Sequence, residues 1–131
     1  ENKEITVPEG SFVVAGIDDL WTGDVDLDSA LENINKKTFT LLLSHNPSVI
    51  DEEGATDAHV IVSGHTHGGQ IRLPGIGPLV VLPVSIGQQY DQGIFGIQED
   101  TTLVITRGVG ESSGRSRFFA WPEVMVIEVG N

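Results

Sequence analysis

The chain has 131 residues, no cysteine, and seven Lys plus Arg against nineteen Asp plus Glu, a formal net charge of −12 at pH 7. That length fits one domain, residues 1–131, with room for its own core. So acidic a surface repels nucleic acid and anionic lipid, so no nucleic-acid partner is expected, and the absence of cysteine excludes disulfide frameworks and thiolate metal sites.

In chain order, Ser11-Phe12-Val13-Val14-Ala15-Gly16-Ile17 reads as a buried strand followed by a polar loop. Leu27, Ala30, Leu31 and Ile34 then recur at helical spacing, with Asp26 or Asp28 placed to cap and Lys36 and Lys37 placed to close the helix against its dipole. The alternating Asp24, Asp26 and Asp28 lack the glycine and glutamate of a calcium loop, so they read as a solvated cap. Phe39 to Leu43 is an apolar strand that ends in Ser44-His45-Asn46-Pro47. Pro47 starts a short helix to about Glu52, ended by Gly54. From His59 onward the pattern becomes β, with strands expected at 59–63, 70–73, 79–82, 94–98, 102–106 and 124–129 and a hairpin turn at Glu99-Asp100. No apolar run reaches 18 residues, the length a membrane-spanning helix needs.

The most informative stretch is Gly64-His65-Thr66-His67-Gly68-Gly69-Gln70. In extended backbone, residues two apart share a face, so the imidazoles of His65 and His67 would leave together as a pair of metal ligands. Glycines on both sides let the chain turn tightly around whatever they hold. His45, at the end of the preceding strand, would join them at the same edge of a parallel sheet, where α/β proteins place ligands. An isolated histidine at a strand end is more often a hydrogen-bonded structural residue, but two within one glycine-flanked turn and a third nearby fit that reading poorly. His59 enters the strand that His65 leaves and should lie apart. Arg107-Gly108-Val109-Gly110 with Ser112 and Ser113 has two readings side by side: a phosphate cradle, or a turn whose arginine pairs with an acid.

Gly16-Ile17-Asp18-Asp19-Leu20-Trp21-Thr22-Gly23, Leu43 to Pro47, Ser63 to Pro74 and Thr106 to Gly110 together resemble the calcineurin-like metallophosphoesterases, and Gly-His-Thr-His-Gly-Gly-Gln resembles their bacterial phosphohydrolase branch. The resemblance implies an α/β fold: the C-terminal half of an α/β/β/α sandwich, a mixed sheet with few helices. It further implies a metal-dependent phosphoesterase acting on a phosphomonoester or phosphodiester. Two divalent ions, Mn, Fe or Zn, would polarise the phosphoryl group and activate water, with His45 and His65 on one and His67 on the other. Gln70, Arg72 and Arg107 are the candidates for contact with the phosphate-ester substrate. Members of the family also carry an Asp-x-His pair, a Gly-Asp-x-x-Asp run and a Gly-Asn-His run, and this chain has none of them in place. Asp57-Ala58-His59 precedes its strand rather than following it, and Gly23-Asp24-Val25-Asp26 has the wrong spacing.

The expectation is therefore a chain that carries three ligands of a larger centre, binds at most one metal ion weakly, and is inactive alone. The alternative is a non-catalytic metal-binding or interaction module that retains the fold. Half a sandwich should expose an apolar face that the missing N-terminal half of the domain would cover, and self-association is expected in its absence. The resemblance makes a membrane-associated parent conceivable, while the chain itself reads as soluble; the compartment stays open.

Overall fold

Four short apolar runs, separated by stretches long enough to cross over, dictate a parallel core. The computed structural model describes residues 2–7, 10–112 and 116–129. The strands are β1 (Asn2–Val7), β2 (Gly10–Gly16), β3 (Thr40–Leu43), β4 (Val60–Ser63), β5 (Arg72–Leu73), β6 (Gly77–Pro78), β7 (Gly93–Gln98) and β8 (Thr101–Ile105). One α-helix, α1 (Leu27–Leu31), and three 3-10 turns, Pro47–Asp51, Ala55–Asp57 and His67–Gly69, complete the elements. A six-stranded sheet runs in the order β1-β2-β3-β4-β8-β7, and β5 and β6 form a separate ribbon. β2, β3, β4 and β8 are parallel neighbours, and an antiparallel partner lies at each edge. Parallel neighbours need crossovers: α1 lies in the one from β2 to β3, the first two 3-10 turns lie in the one from β3 to β4, and the long stretch 64–100 joins β4 to β8. The architecture is mixed α/β with few helices, consistent with the C-terminal half of a metallophosphoesterase sandwich.

The crossovers cover one face. Ala15, Leu42, Ile61, Leu103 and Ile105 point into it and pack against Leu27, Val49, Ala55 and Ala58. Each fully buried leucine or isoleucine there stabilises the fold by about 1.5–3 kcal/mol over its exposed state. Alternation sends the intervening residues to the other face. Val14 lies beside Leu41 and Leu41 beside Val60; Leu43 lies beside Val62, Val62 beside Val104, and Val104 beside Ile94. This second face is apolar and partly open, with Leu43 44% and Ile94 71% exposed.

Several expectations are corrected. The helix stops at Leu31 rather than Ile34, because Asn33 turns left-handed with φ 60°. Asp26 is its cap, accepting from the Ser29 N–H at 2.9 Å. Lys36 and Lys37 thus fall beyond its last turn, and Lys36 instead makes an exposed ion pair with Asp57 at 3.8 Å. The short helix expected at Pro47 is present as a 3-10 helix over Pro47–Asp51, with the Asn46 carboxamide oxygen accepting from Ser48 N–H at 2.9 Å. Residues 79–82 form no strand, since the Gln88 carboxamide takes both the N–H and the C=O of Leu82 (2.6 and 3.2 Å). Residues 124–129 alternate like a strand but pair with none among the described residues; alternation builds a ladder only where an edge is free to receive it. β1 has no counterpart among the expected strands. Glu99-Asp100 does connect β7 to β8 as a two-residue hairpin. Among the described residues no helix is long and apolar enough to cross a membrane.

Candidate metal-binding site

The carboxyl ends of β3 and β4 carry the histidine loops. β3 and β4 pair in parallel with Leu43 opposite Val62, and the ladder continues past both strands through Ser44 N–H to Val62 O and Gly64 N–H to His45 O, each 3.1 Å. The two loops are therefore bolted together at the backbone. His45 Nε2 and His65 Nδ1 stand 3.1 Å apart, with their rings edge-on at 4.9 Å between centroids. His65 Nε2 meets the Pro83 carbonyl at 3.1 Å, and His67 Nδ1 meets the Gly110 carbonyl at 2.9 Å. A carbonyl only accepts, so these ring nitrogens carry the protons, and His65 Nδ1 and His67 Nε2 are left as lone-pair nitrogens. This is how metal-binding imidazoles are held, one nitrogen fixed by a carbonyl and the other left for the ion. His59 lies apart at the start of β4, accepting the Thr40 N–H on Nδ1 at 3.2 Å.

The pleat is not what positions His65 and His67. β4 ends at Ser63, and both histidines sit on left-handed backbone, φ 66° and 53°, as does Gln70 at 53°. The two-residue alternation expected of them stops with the strand; a turn sets their directions. Non-glycine residues in this region cost about 1–3 kcal/mol each and persist where the surroundings impose them, often at functional sites. Thr66 anchors the turn, donating to Asp91 O at 2.7 Å. Gly68, φ 63°, lies so close to Arg107 that a Cβ there would stand 2.7 Å from its Cγ.

Burial holds His65 below the ordinary imidazole range; the hydrogen bond to Pro83 and the Asp19 charge oppose this, and His45 and His67 reinforce it. Neutral imidazole is the form a cation needs. Asp19 also shapes the rim: one carboxylate oxygen accepts from Trp21 N–H, Thr22 N–H and the Thr22 hydroxyl at 3.0, 3.1 and 3.1 Å. Those bonds, Trp21 N–H first, keep its carboxyl below the usual range. The turn sets Trp21 edge-on against His65, 4.6 Å between ring centroids, with the indole 63% exposed.

The three candidate substrate residues are engaged within the chain. The Gln70 carboxamide clamps Ser112, accepting from its N–H and hydroxyl at 2.8 and 3.0 Å and donating to its carbonyl at 3.3 Å. Arg72 pairs with Asp91 at 2.6 Å and donates to Gly68 O at 2.9 Å. Arg107 pairs with Glu123, Nε to Oε2 at 2.9 Å, which is the acid-paired reading of that turn. Ser113 lies outside the described residues.

Among the described residues no three His, Cys, Asp or Glu side chains come together as a metal-binding group. The His45–His65 pair nevertheless fits a divalent ion as part of a donor set. Two metal–nitrogen bonds of about 2.0–2.1 Å, at angles between square and tetrahedral, separate their nitrogens by about 2.9–3.4 Å, a range that contains the observed spacing. Among the described residues, the buried side-chain polar atoms left unpartnered are Asn46 Nδ2, Ser63 Oγ and Gln92 Oε1. Asn46 follows His45, Ser63 precedes Gly64, and Gln92 abuts Gly68. All three atoms belong to residues next to the histidine loops in sequence or, for Gln92, in space.

The spacing of Arg117 from its partners hides it from sequence reading. Its guanidinium donates Nε to Gly110 O at 3.2 Å, Nη1 to His67 O and Ala120 O at 3.3 and 3.0 Å, and Nη2 to Arg107 O at 2.9 Å and also to Gly110 O. Asp19 and Trp21 stand within a stretch that the family resemblance covers, and the Asp-x-x-Thr turn pattern was the signal that could have singled them out.

Curated proteins match this geometry's sequence. The chain is 33% identical over 126 residues to the uncharacterized metallophosphoesterase YkuE of Bacillus subtilis (strain 168), covering 95% of this chain and 43% of that protein. It is 33% identical over 126 residues to phosphodiesterase YaeI of Escherichia coli (strain K12), 95% and 44% respectively. It is 30% identical over 131 residues to UDP-2,3-diacylglucosamine pyrophosphatase LpxG of Chlamydia muridarum (strain MoPn / Nigg), 96% and 39%. The chain thus spans less than half the length of these relatives. No family model matches it, and no solved structure does. Several proteins named metallophosphoesterase are thus similar over most of the chain, as is one named phosphodiesterase.

Proposed function

We propose that this chain is the C-terminal part of a calcineurin-like metallophosphoesterase domain that hydrolyses phosphate esters, and that it supplies His45, His65 and His67 to a two-metal centre completed by the rest of the domain. The observation that carries this reading is the 3.1 Å approach of His45 Nε2 and His65 Nδ1 at the ends of two parallel strands. The metals, when bound, would polarise the phosphoryl group and lower the pKa of the attacking water. The chain's own residues hold the geometry. Pro83 and Gly110 carbonyls fix the ring protons of His65 and His67, and the tie between His45 O and Gly64 N–H sets the spacing of the first pair. Opening that pair to a cation needs the His45 ring proton to move from Nε2 to Nδ1 and the two rings to turn their lone pairs toward a common point. Trp21 walls one side of His65 and limits water there.

Gln70 acts in this reading by shaping the loop around the phosphate, while Arg72 and Arg107, anchored through Nη1 and through Nε and Nη2 respectively, keep their other guanidinium donors for it. With no carboxylate among the described residues gathered with the histidines into a metal-binding group, the 131-residue chain alone is inactive in this reading. The test compares the full-length parent protein with this chain on bis(p-nitrophenyl) phosphate with Mn²⁺ added. The parent turns over, His65→Ala abolishes turnover, and the chain alone shows none. Binding of Mn²⁺ by the parent without any turnover would instead support a non-catalytic module, and His65-dependent turnover by the chain alone would refute the division of the site.

A further inference from the structure

We propose that Arg117 is the positioning residue of His67: by fixing the Gly110 carbonyl it sets the ring tautomer that leaves Nε2 as the metal-binding nitrogen. The inference rests on the reading of His67 as a ligand. The Gly110 carbonyl that takes the His67 ring proton belongs to a stretch without helix or strand, so no ladder holds it in place. Arg117 does. Two of its nitrogens, Nε and Nη2, converge on Gly110 O, while the remaining donors take the carbonyls of His67, Arg107 and Ala120. One planar side chain therefore ties the histidine turn, the segment after β8 and the C-terminal stretch to the same point.

Two other roles for Arg117 fail on geometry. A guanidinium has five N–H donors, and all five are taken by carbonyls, so none is left for a phosphate oxygen. Nor does it donate to the imidazole itself: Nη2 stands 3.4 Å from His67 Nδ1, against 2.9 Å from that nitrogen to Gly110 O, and both Nη2 protons are already engaged. Among the described residues no carboxylate pairs with Arg117. The arrangement of carbonyls around a rigid fork is one that lysine, with a compact ammonium, cannot reproduce.

Long-range ring ¹⁵N–¹H spectra of the 131-residue chain, recorded above the histidine titration range, test this. Wild type shows His67 as a single neutral tautomer with its proton on Nδ1. Arg117→Ala and Arg117→Lys move it toward the Nε2-protonated form. Titration of the same samples with Mn²⁺ broadens the His67 ring in wild type, and about tenfold more Mn²⁺ or greater is needed in either variant. The His45–His65 pair, which Arg117 does not touch, responds alike in all three. A wild-type proton on His67 Nε2, or an unchanged tautomer in the variants, overturns the proposal. If wild type shows no Mn²⁺ broadening at all, the ligand reading fails while the tautomer comparison still decides the role of Arg117. Dispersed Ile61 and Leu103 amide signals report the fold; if Arg117→Ala loses them, Arg117→Lys decides, and their loss in both makes Arg117 a structural residue and overturns the proposal as well.

Discussion

Gly68 concentrates the constraints of the histidine turn in one position. Its φ of 63° is the left-handed conformation, and an added Cβ would meet Arg107 Cγ at 2.7 Å and Gln92 Oε1 at 2.7 Å. The stem of Arg107 is held by Glu123, so it cannot swing clear. Gly68→Ala is expected to destabilise the chain by about 1–3 kcal/mol, read as a lower urea midpoint at unchanged slope. Gly75→Ala, also at positive φ but with nothing within 4 Å of its Cβ, should cost less. Equal losses at both positions would mean that backbone strain alone, and not the Arg107 contact, sets the cost. At this scale the sequence showed which residue types mattered and not how they are held. His45 and His65 were brought together by reasoning from strand ends, because a parallel register is implicit in two apolar runs with a short crossover. The left-handed backbone of His65 and His67 was not legible, since the glycines beside them made the turn plausible without saying which residues carry it. Arg117 was invisible because all but one of its partners are close only in space, up to 50 residues away.

Among the elements, the segment after β8 is tied by Arg117 and, further along, by one acid. Glu123 N–H donates to Gly108 O at 3.0 Å, and its carboxylate accepts from the Thr106 hydroxyl at 3.1 Å and from Arg107. Burial pushes this carboxyl up, but the hydrogen bonds from Arg107 and Thr106 outweigh it and hold it below the ordinary glutamate range. A carboxyl whose folded pKa is depressed contributes stability above its unfolded pKa and loses it as pH falls through the folded value. Acidification below the ordinary glutamate range should therefore loosen residues 121–129, beyond the Arg117 tie at Ala120, before the sheet melts, seen as an early change in Trp121 fluorescence. Glu123→Gln should show that change already at neutral pH and little pH dependence of it. If the wild-type signal instead follows the sheet's far-UV transition, the segment is held by something else. The strand expected at 124–129 does not form: Val124 and Val126 alternate as in a strand, yet each is 82% exposed and no described edge receives them. The central strands were legible because their apolar runs are continuous, as buried parallel strands require. α1 was overextended because its spacing continued to Ile34 while the backbone turned at Asn33.

For the whole molecule, the apolar face through Leu41, Leu43, Val60 and Val62 opposes the net charge of −12. Apolar burial favours association and like charge resists it, and salt weakens only the second. The chain should accordingly self-associate more as ionic strength rises, with light scattering as the measure, and Leu43→Asp should shift it toward monomer. A mass that falls with salt would place the contact on a charged surface instead.

That same face makes the proposed enzyme divisible. If the rest of the domain packs there, the polypeptide need not be continuous for the site to assemble, and two separately expressed pieces should reconstitute turnover when mixed. The rate at equimolar dilution would then fall with the square of concentration, in contrast to the linear dependence of the unbroken parent. Copies of this chain paired on the face would act as competitive inhibitors of that reconstitution, so Leu43→Asp should weaken self-association and complementation together, while His65→Ala leaves the pieces bound and abolishes only the chemistry.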